Sequence, residues 1–232
     1  MILEEVRKLT YRDLVSRIEH TVLRPNAGVE AVRRACMESI EHGFHGCCVP
    51  PWLVKEASEI LSGTQVRVVT VAGFPLGNVP VKTKVFELRE AAAQGAQEVD
   101  VVVNVSAVRS GMWDYVRDEV SELVDAAREV GCVLKLIVET SLLSDDEVRR
   151  LSGIAVDLGV DFIKTNTGFG PRGVTVHDVI VIKEATQGRA RIKAAGGIRH
   201  VEDAVALIMA GADRIGTSSG VEIAREFTAY RQ

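Results

Sequence analysis

The chain uses twenty arginines but only eight lysines, and three of those lysines stand inside short apolar, strand-like runs. They are Lys135 in V-L-K-L-I-V-E, Lys164 in V-D-F-I-K-T-N-T-G and Lys193 in R-I-K-A-A-G-G-I-R. Arginine stays protonated at any usable pH, whereas a desolvated lysine can lose its proton and attack a carbonyl as a neutral amine. Lysine kept at such positions points to Schiff-base chemistry. Asp100, in E-V-D-V-V-V, supplies a carboxylate able to hydrogen-bond a carbinolamine or orient a proton-carrying water. Crowded cations lower one another's pKa and partial burial pushes the same way, so one amine is expected to be neutral at about pH 7.

A second constellation is made of three glycine-bearing loops, T-N-T-G-F-G-P-R-G at 165–173, A-G-G-I-R at 195–199 and G-T-S-S-G at 216–220. Glycine lets backbone amides approach an anion, and a helix N-terminus adds a favourable dipole. Gly196, Gly197, Gly216 and the Ser218 hydroxyl form the expected phosphate cradle, with Arg199 as its charge partner. Any one such loop reads equally well as a plain turn; two after the appropriate strands are more specific.

Other groups carry less. The run H-G-F-H-G-C-C at 42–48 suggests a metal, but its histidines straddle a helix end and a strand start, so their ligating atoms are not expected to converge. Cys47 and Cys48 face opposite ways on a strand; one can line a barrel interior, and inert packing is the expected role of either. His20, His177 and His200 have no serine or cysteine partner at a recognisable spacing and are expected at the surface or in caps.

The elements that must position these residues alternate. Short β-branched runs at 17–21, 44–49, 66–71, 98–103, 133–138, 161–164, 191–194 and 213–216 are separated by segments of helical period. The helical stretches are 28–42, 51–61, 80–95, 112–130, 144–158, 175–186, 200–210 and 219–230. Ser144 stands three residues before Glu147 as a capping box, and Gly43, Gly95, Gly131, Gly159 and Gly211 close helices. Eight strand–helix units predict a single (β/α)8 TIM barrel, residues 1–232 as one domain with a short N-terminal helix; a doubly wound open sheet is the competing architecture. In such a barrel the working residues project from the C-terminal strand ends, which gathers Asp100, Lys135, Lys164 and Lys193 onto one rim.

Composition sets the bounds. An apolar content of 47% with 26% charged residues is that of an ordinary globular protein, and no apolar run approaches membrane-spanning length. The start M-I-L-E-E-V-R-K has acids where a signal peptide would be basic, so the expected compartment is the cytoplasm. A net charge of −4 argues against charge-driven nucleic-acid binding and favours a small phosphorylated metabolite. Four cysteines without a framework spacing read as reduced thiols.

These residues together resemble deoxyribose-phosphate aldolase, a class I aldolase family on a TIM barrel. Carrying the resemblance are I-E-H-T-V-L-R-P (18–25), C-V-P-P (48–51), G-F-P-L-G (73–77), E-V-D-V-V-V-N (98–104), L-K-L-I-V-E-T (134–140), K-T-N-T-G-F-G (164–170), I-K-A-A-G-G-I-R (192–199) and G-A-D-R-I-G-T-S-S-G (211–220). The resemblance implies reversible cleavage of 2-deoxy-D-ribose 5-phosphate to D-glyceraldehyde 3-phosphate and acetaldehyde, with no metal or organic cofactor, by a homodimer or homotetramer. It implies that Lys164 forms the imine, that Lys193 holds down its pKa and that Asp100 relays protons. It further implies that Thr167, Gly168, Gly196, Gly197 and Ser218 contact substrate or phosphate and that Thr21, Leu23 and Cys48 line the site; Lys135 is counted with the binding residues. Departures from the family pattern are Glu19 for aspartate, Asn166 and Ala195 for serines and Arg24 for lysine, while Tyr230 stands near but not at the terminus. A phosphosugar isomerase would share the glycine loops but needs a paired acid and base; a phosphosugar sensor leaves the charged cluster unexplained.

Overall fold

In a computed structural model that describes Glu4, Val6 and residues 8–230, eight parallel strands close on themselves in sequence order. The strands are β1 (Ile18–Thr21), β2 (Gly46–Cys48), β3 (Arg67–Ala72), β4 (Glu98–Val102), β5 (Val133–Ile137), β6 (Phe162–Lys164), β7 (Arg191–Ala195) and β8 (Arg214–Thr217). Closure is made by β1 against β8, with Glu19 beside Gly216. The architecture is the predicted (β/α)8 barrel rather than the open sheet.

The outer layer is α1 (Tyr11–Val15), α2 (Val29–His42), α3 (Val54–Leu61), α4 (Val81–Ala93), α5 (Val105–Arg109), α6 (Trp113–Val130), α7 (Asp145–Leu158), α8 (Val176–Thr186), α9 (Val201–Ala210) and α10 (Gly220–Ala229). The punctuation works as predicted. Ser144 and Glu147 form a reciprocal capping box on α7, and Gly43, Gly131 and Gly159 end α2, α6 and α7 in left-handed conformation. Three details differ. The 51–61 segment starts as a 3₁₀ turn at Pro51–Leu53, because Pro50 and Pro51 have no amide hydrogen to give. A second short turn, Thr140–Leu142, follows β5. The one-turn α5, too brief for periodicity to register, is capped by Asn104 accepting from the Ala107 amide at 3.1 Å.

Strands of a parallel barrel are covered on both faces and so read as nearly continuous apolar runs. Their outward side chains join the helices in one core that extends from α1 to α10. Inside the barrel one apolar cluster is formed by Cys48, Val69 and Val71, with Leu23 and Phe74 packed against it. Ions occupy much of the rest. Lys84, a lysine on a helix rather than a strand, is also wholly buried, donating to Glu119 Oε1 at 2.6 Å and the Val102 carbonyl at 2.7 Å. Glu119 Oε2 in turn accepts from the Asn104 amide at 2.9 Å, so this pair fixes the end of the strand that carries Asp100. No helix among the described residues is long and apolar enough to cross a membrane.

Candidate active site

Strand register decides which charges meet. Asp100 lies beside Lys135 across β4–β5, and Lys164 beside Lys193 across β6–β7. Asp100 Oδ2 accepts from Lys164 Nζ at 2.8 Å and from Lys193 Nζ at 2.7 Å, while Oδ1 accepts from Lys135 Nζ at 3.1 Å. One carboxylate thus holds all three lysines that the sequence singled out.

Two further acids complete the cluster. Glu19 pairs with Lys193 through Oε2, which also lies 3.6 Å from Lys135 Nζ. Glu98 Oε2 lies 2.6 Å from Lys135 Nζ, and its Oε1 is bonded to His45 Nε2 at 2.9 Å. Three lysine amines therefore face three carboxylates, which is how six buried ionisable side chains are tolerated at once. In the sequence Glu19 stands out only as a departure from the family pattern, and Glu98 has no motif of its own. Both sit two residues from a site residue on the same strand, Thr21 and Asp100, and so point to the same interior face; that period of two was the available signal.

The acids reverse one expectation. Burial alone would push the Lys193 ammonium down, but Asp100 and Glu19 outweigh it and hold its pKa well above the ordinary lysine value. Lys135, likewise desolvated, is raised by Asp100 and Glu19. Mutual repulsion of cations does not govern these two amines, because each cation is matched by an anion. Burial would raise the Asp100 carboxyl; Lys135, Lys164 and Lys193 instead hold it well below the usual carboxylate range.

The lysines do not share one rim. Lys164 ends β6 and borders a cavity of about 790 Å³ at the C-terminal mouth, whereas Lys193 and Asp100 sit within their strands directly beneath it. Lys135 is deeper still, wholly enclosed among Asp100, Glu19 and Glu98 beside Phe162, so its assignment to substrate or phosphate binding is corrected to an interior counter-ion. Cys48 faces the barrel interior but is fully buried below the cavity wall, where burial pushes its thiol up to about 11. Its neighbour Cys47 points outward to Cys36, 3.8 Å away between sulfurs.

Gly196, Gly197, Gly216, Ser218 and Arg199, expected to hold a phosphate, line the cavity, as do Thr21, Leu23, Thr167 and Gly168. The loops after β6 and β7 interlock through their backbones, with the Val174 amide donating to the Gly196 carbonyl at 3.0 Å. A Cβ on Gly173 would stand 2.8 Å from that same oxygen, so only glycine permits this approach. Gly216 also serves a purpose its loop reading missed: a Cβ there would lie 2.8 Å from Lys193 Cε, in the space through which that side chain passes. Phe169 meets Phe74 edge to face at 5.4 Å and forms an aromatic flank, with Lys164 Nζ 5.8 Å from the Phe74 ring centre.

Arg24, Arg34, Arg172 and Arg225 join Arg199 around the opening, together with the acids Glu38 and Glu222. His20 is corrected from a surface role: it is buried, borders the cavity and bonds Glu38 at 2.9 Å. His177 is exposed against Asp145, and His200 sits at the N-cap of α9, as expected. His42 stacks on Phe44 while His45 turns to Glu98, so the 42–48 run does not converge on a metal. His45, Glu19 and Glu98 do bring ligand atoms together, but the Lys135 ammonium already lies against both acids. Tyr230 hydrogen-bonds Glu202 on the exposed surface.

A closed (β/α)8 barrel with a lysine amine at its C-terminal mouth, backed by a shared carboxylate and a second lysine, defines the class of lysine-bearing barrel lyases. Residues 12–226 match the model of the DeoC/LacD family aldolases. The chain belongs to that family. It is 46% identical over 216 residues to a deoxyribose-phosphate aldolase of Caldanaerobacter subterraneus subsp. tengcongensis, covering 93% of this chain and 94% of that one. The corresponding aldolase of Thermococcus gammatolerans is also 46% identical, over 91% of this chain and 95% of its own. Among solved structures, the deoxyribose phosphate aldolase from Aeropyrum pernix, described as a unique tetramer, superposes with a TM-score of 0.91 at 34% identity, covering 98% of this chain and 97% of that one.

Proposed function

We propose that this chain reversibly cleaves 2-deoxy-D-ribose 5-phosphate to D-glyceraldehyde 3-phosphate and acetaldehyde, in deoxyribose phosphate catabolism, through an imine on Lys164. The observation that carries the reading is the Lys164 amine at the floor of an arginine-ringed mouth, sharing Asp100 Oδ2 with Lys193. Relatives of this name, similar along nearly the whole chain, support the substrate.

Neutral Lys164 Nζ adds to the C1 aldehyde of the open-chain sugar, and the carbinolamine loses water to give the imine. The C3 hydroxyl gives its proton to the water of the Asp100–Lys193 relay, the C2–C3 bond breaks, and its electron pair enters the protonated imine, leaving an enamine as glyceraldehyde 3-phosphate departs. Protonation at C2 through Asp100, Lys193 and a water, followed by hydrolysis, releases acetaldehyde and restores the amine. Asp100 Oδ2, bonded to both Lys164 and Lys193, would serve as the polar link through which a proton passes between these groups and a water. The lysine supplies the electron sink itself, so these steps draw on no cofactor. Gly168, Gly196, Gly197, Ser218 and Arg199 would hold the phosphate, fixing the carbonyl against the amine so that binding energy is spent on orientation.

The same reading takes residues 1–232 as a single barrel domain and the cytoplasm as compartment, the latter supported by four free thiols. A homodimer or homotetramer is supported by the tetrameric relative and by exposed Trp52, Leu76 and Phe86. No nucleic-acid or membrane partner is invoked.

The test is to supply 2-deoxyribose 5-phosphate and follow glyceraldehyde 3-phosphate with a coupling dehydrogenase. Turnover that disappears in K164M is expected. Formation of an isomeric pentose phosphate without carbon–carbon cleavage would transfer the assignment to an isomerase, and binding without turnover to a sensor.

A further inference from the structure

Glu139 stands just beyond β5 with φ 55° and ψ 65°, a left-handed conformation that costs a non-glycine residue about 1 kcal/mol. Its side chain is only 3% exposed, yet it carries a carboxylate. Four donors surround that group. Oε1 accepts from Ser141 Oγ at 2.6 Å and Asn166 Nδ2 at 3.0 Å; Oε2 accepts from the Thr167 amide at 3.0 Å and Thr167 Oγ1 at 2.6 Å. Burial would raise this carboxyl, but the bonds from Ser141, Thr167 and Asn166 bring it below its ordinary value. The backbone on either side is tied to the same target, with Val138 N donating to the Lys164 carbonyl and Thr140 N to the Thr165 carbonyl, both at 3.0 Å. Gly170 closes against the group, since a Cβ there would stand 2.7 Å from Oε1.

An ionised carboxylate only accepts, so the proton of the Thr167 hydroxyl must lie on the line to Glu139. Of the two lone pairs left on Thr167 Oγ1, one receives the Phe169 amide at 3.1 Å. The other is left for the cavity, which Thr167 lines. Toward a ligand this hydroxyl can accept and cannot donate.

We infer that Glu139 is a positioning residue that commits Thr167 as a hydrogen-bond acceptor for a hydroxyl of the sugar, three residues from the amine that forms the imine. The inference rests on the proposed aldol cleavage, in which a substrate hydroxyl must surrender its proton, so an acceptor at that place favours the reaction and a donor opposes it. A methionine at 139 would keep the bulk but offer no oxygen acceptor, releasing the Thr167 hydroxyl to point into the cavity as a donor.

The experiment compares two reactions of one active site. Cleavage of 2-deoxyribose 5-phosphate needs a hydroxyl contact; borohydride trapping of acetaldehyde on the lysine does not, because acetaldehyde carries no hydroxyl. In E139M, kcat/KM for the sugar phosphate is expected to fall about tenfold or more while acetaldehyde trapping stays within about twofold of wild type. T167V should reproduce that split, and E139M/T167V should be no worse than T167V alone. Loss of trapping in step with cleavage would make Glu139 a scaffold residue only and overturn the inference, as would an unchanged kcat/KM or additive losses in the double variant. A wild-type protein that neither cleaves the sugar nor traps acetaldehyde would overturn the aldolase reading first, and this inference with it.

Discussion

At the scale of single residues, charge balance inside the barrel sets what each lysine can do. Lys193 and Lys135 are held as cations by acids that surround them, while Lys164 alone among the three reaches the cavity. Removing Lys135 should therefore act on stability before chemistry. K135M leaves three carboxylates against two ammonium groups, and chemical denaturation should show a loss of about 3–5 kcal/mol, partly recovered in K135M/E98Q. A K135M protein as stable as wild type would contradict the counter-ion role. Gly216 gives a second residue-scale test. A methyl in G216A would collide with Lys193 Cε and crowd the Ala195 Cβ, so kcat should fall at least about tenfold and stability by about 1–3 kcal/mol. The lysines and Asp100 were legible because charged residues in apolar strands are conspicuous. Their acids were not all legible: Glu19 meets Lys193 across 174 residues of sequence, and no local pattern tells which inward positions of a closed barrel coincide. The sign of the lysine shifts followed from that omission.

At the scale of elements, the loop after β6 must be held rigid because it carries Thr167 and Gly168 directly after Lys164. Arg172 clasps it to the start of α8 by a two-pronged pair with Asp178 at 2.7 and 2.9 Å, and also donates to the Thr140 carbonyl at 3.1 Å. Asp178 belongs at the same time to the capping box of α8 with Thr175. D178A should thus cost about 1–2 kcal/mol, the pair itself being partly exposed and worth little alone, and should raise KM for the sugar phosphate several-fold. An unaltered KM would show that the clasp does not govern the loop. Element positions were readable because β-branched runs and helical periods alternated along the chain, with glycine stops agreeing at Gly43, Gly95, Gly131, Gly159 and Gly211. What escaped was short or left-handed: α5 has too few residues to display a period, and the turn at Glu139 follows from tertiary hydrogen bonds rather than from its own sequence.

At the scale of the whole molecule, the buried ions tie stability to pH. Asp100, Glu98, Glu139 and Asp178 have lowered pKa values in the folded state, so their contribution is present above the unfolded carboxylate range near ~4 and is lost as pH falls through the folded values. Lys135 and Lys193 are raised, so theirs is complete below the unfolded lysine value of about 10.4 and is lost as pH rises through the folded values. Thermal melts should give a plateau from about pH 5 to 10 with a steep fall on the acid side; a maximum below about pH 4 would contradict the ion cluster. The barrel thus uses one set of charges both to fill its interior and to place a single amine at its mouth. That central claim is tested most directly by reducing a mixture of the protein and 2-deoxyribose 5-phosphate with sodium borohydride and locating the adduct by peptide mass. One adduct is expected, on Lys164; an adduct on Lys193 or Lys135, or intact protein beside consumed substrate, would contradict that role.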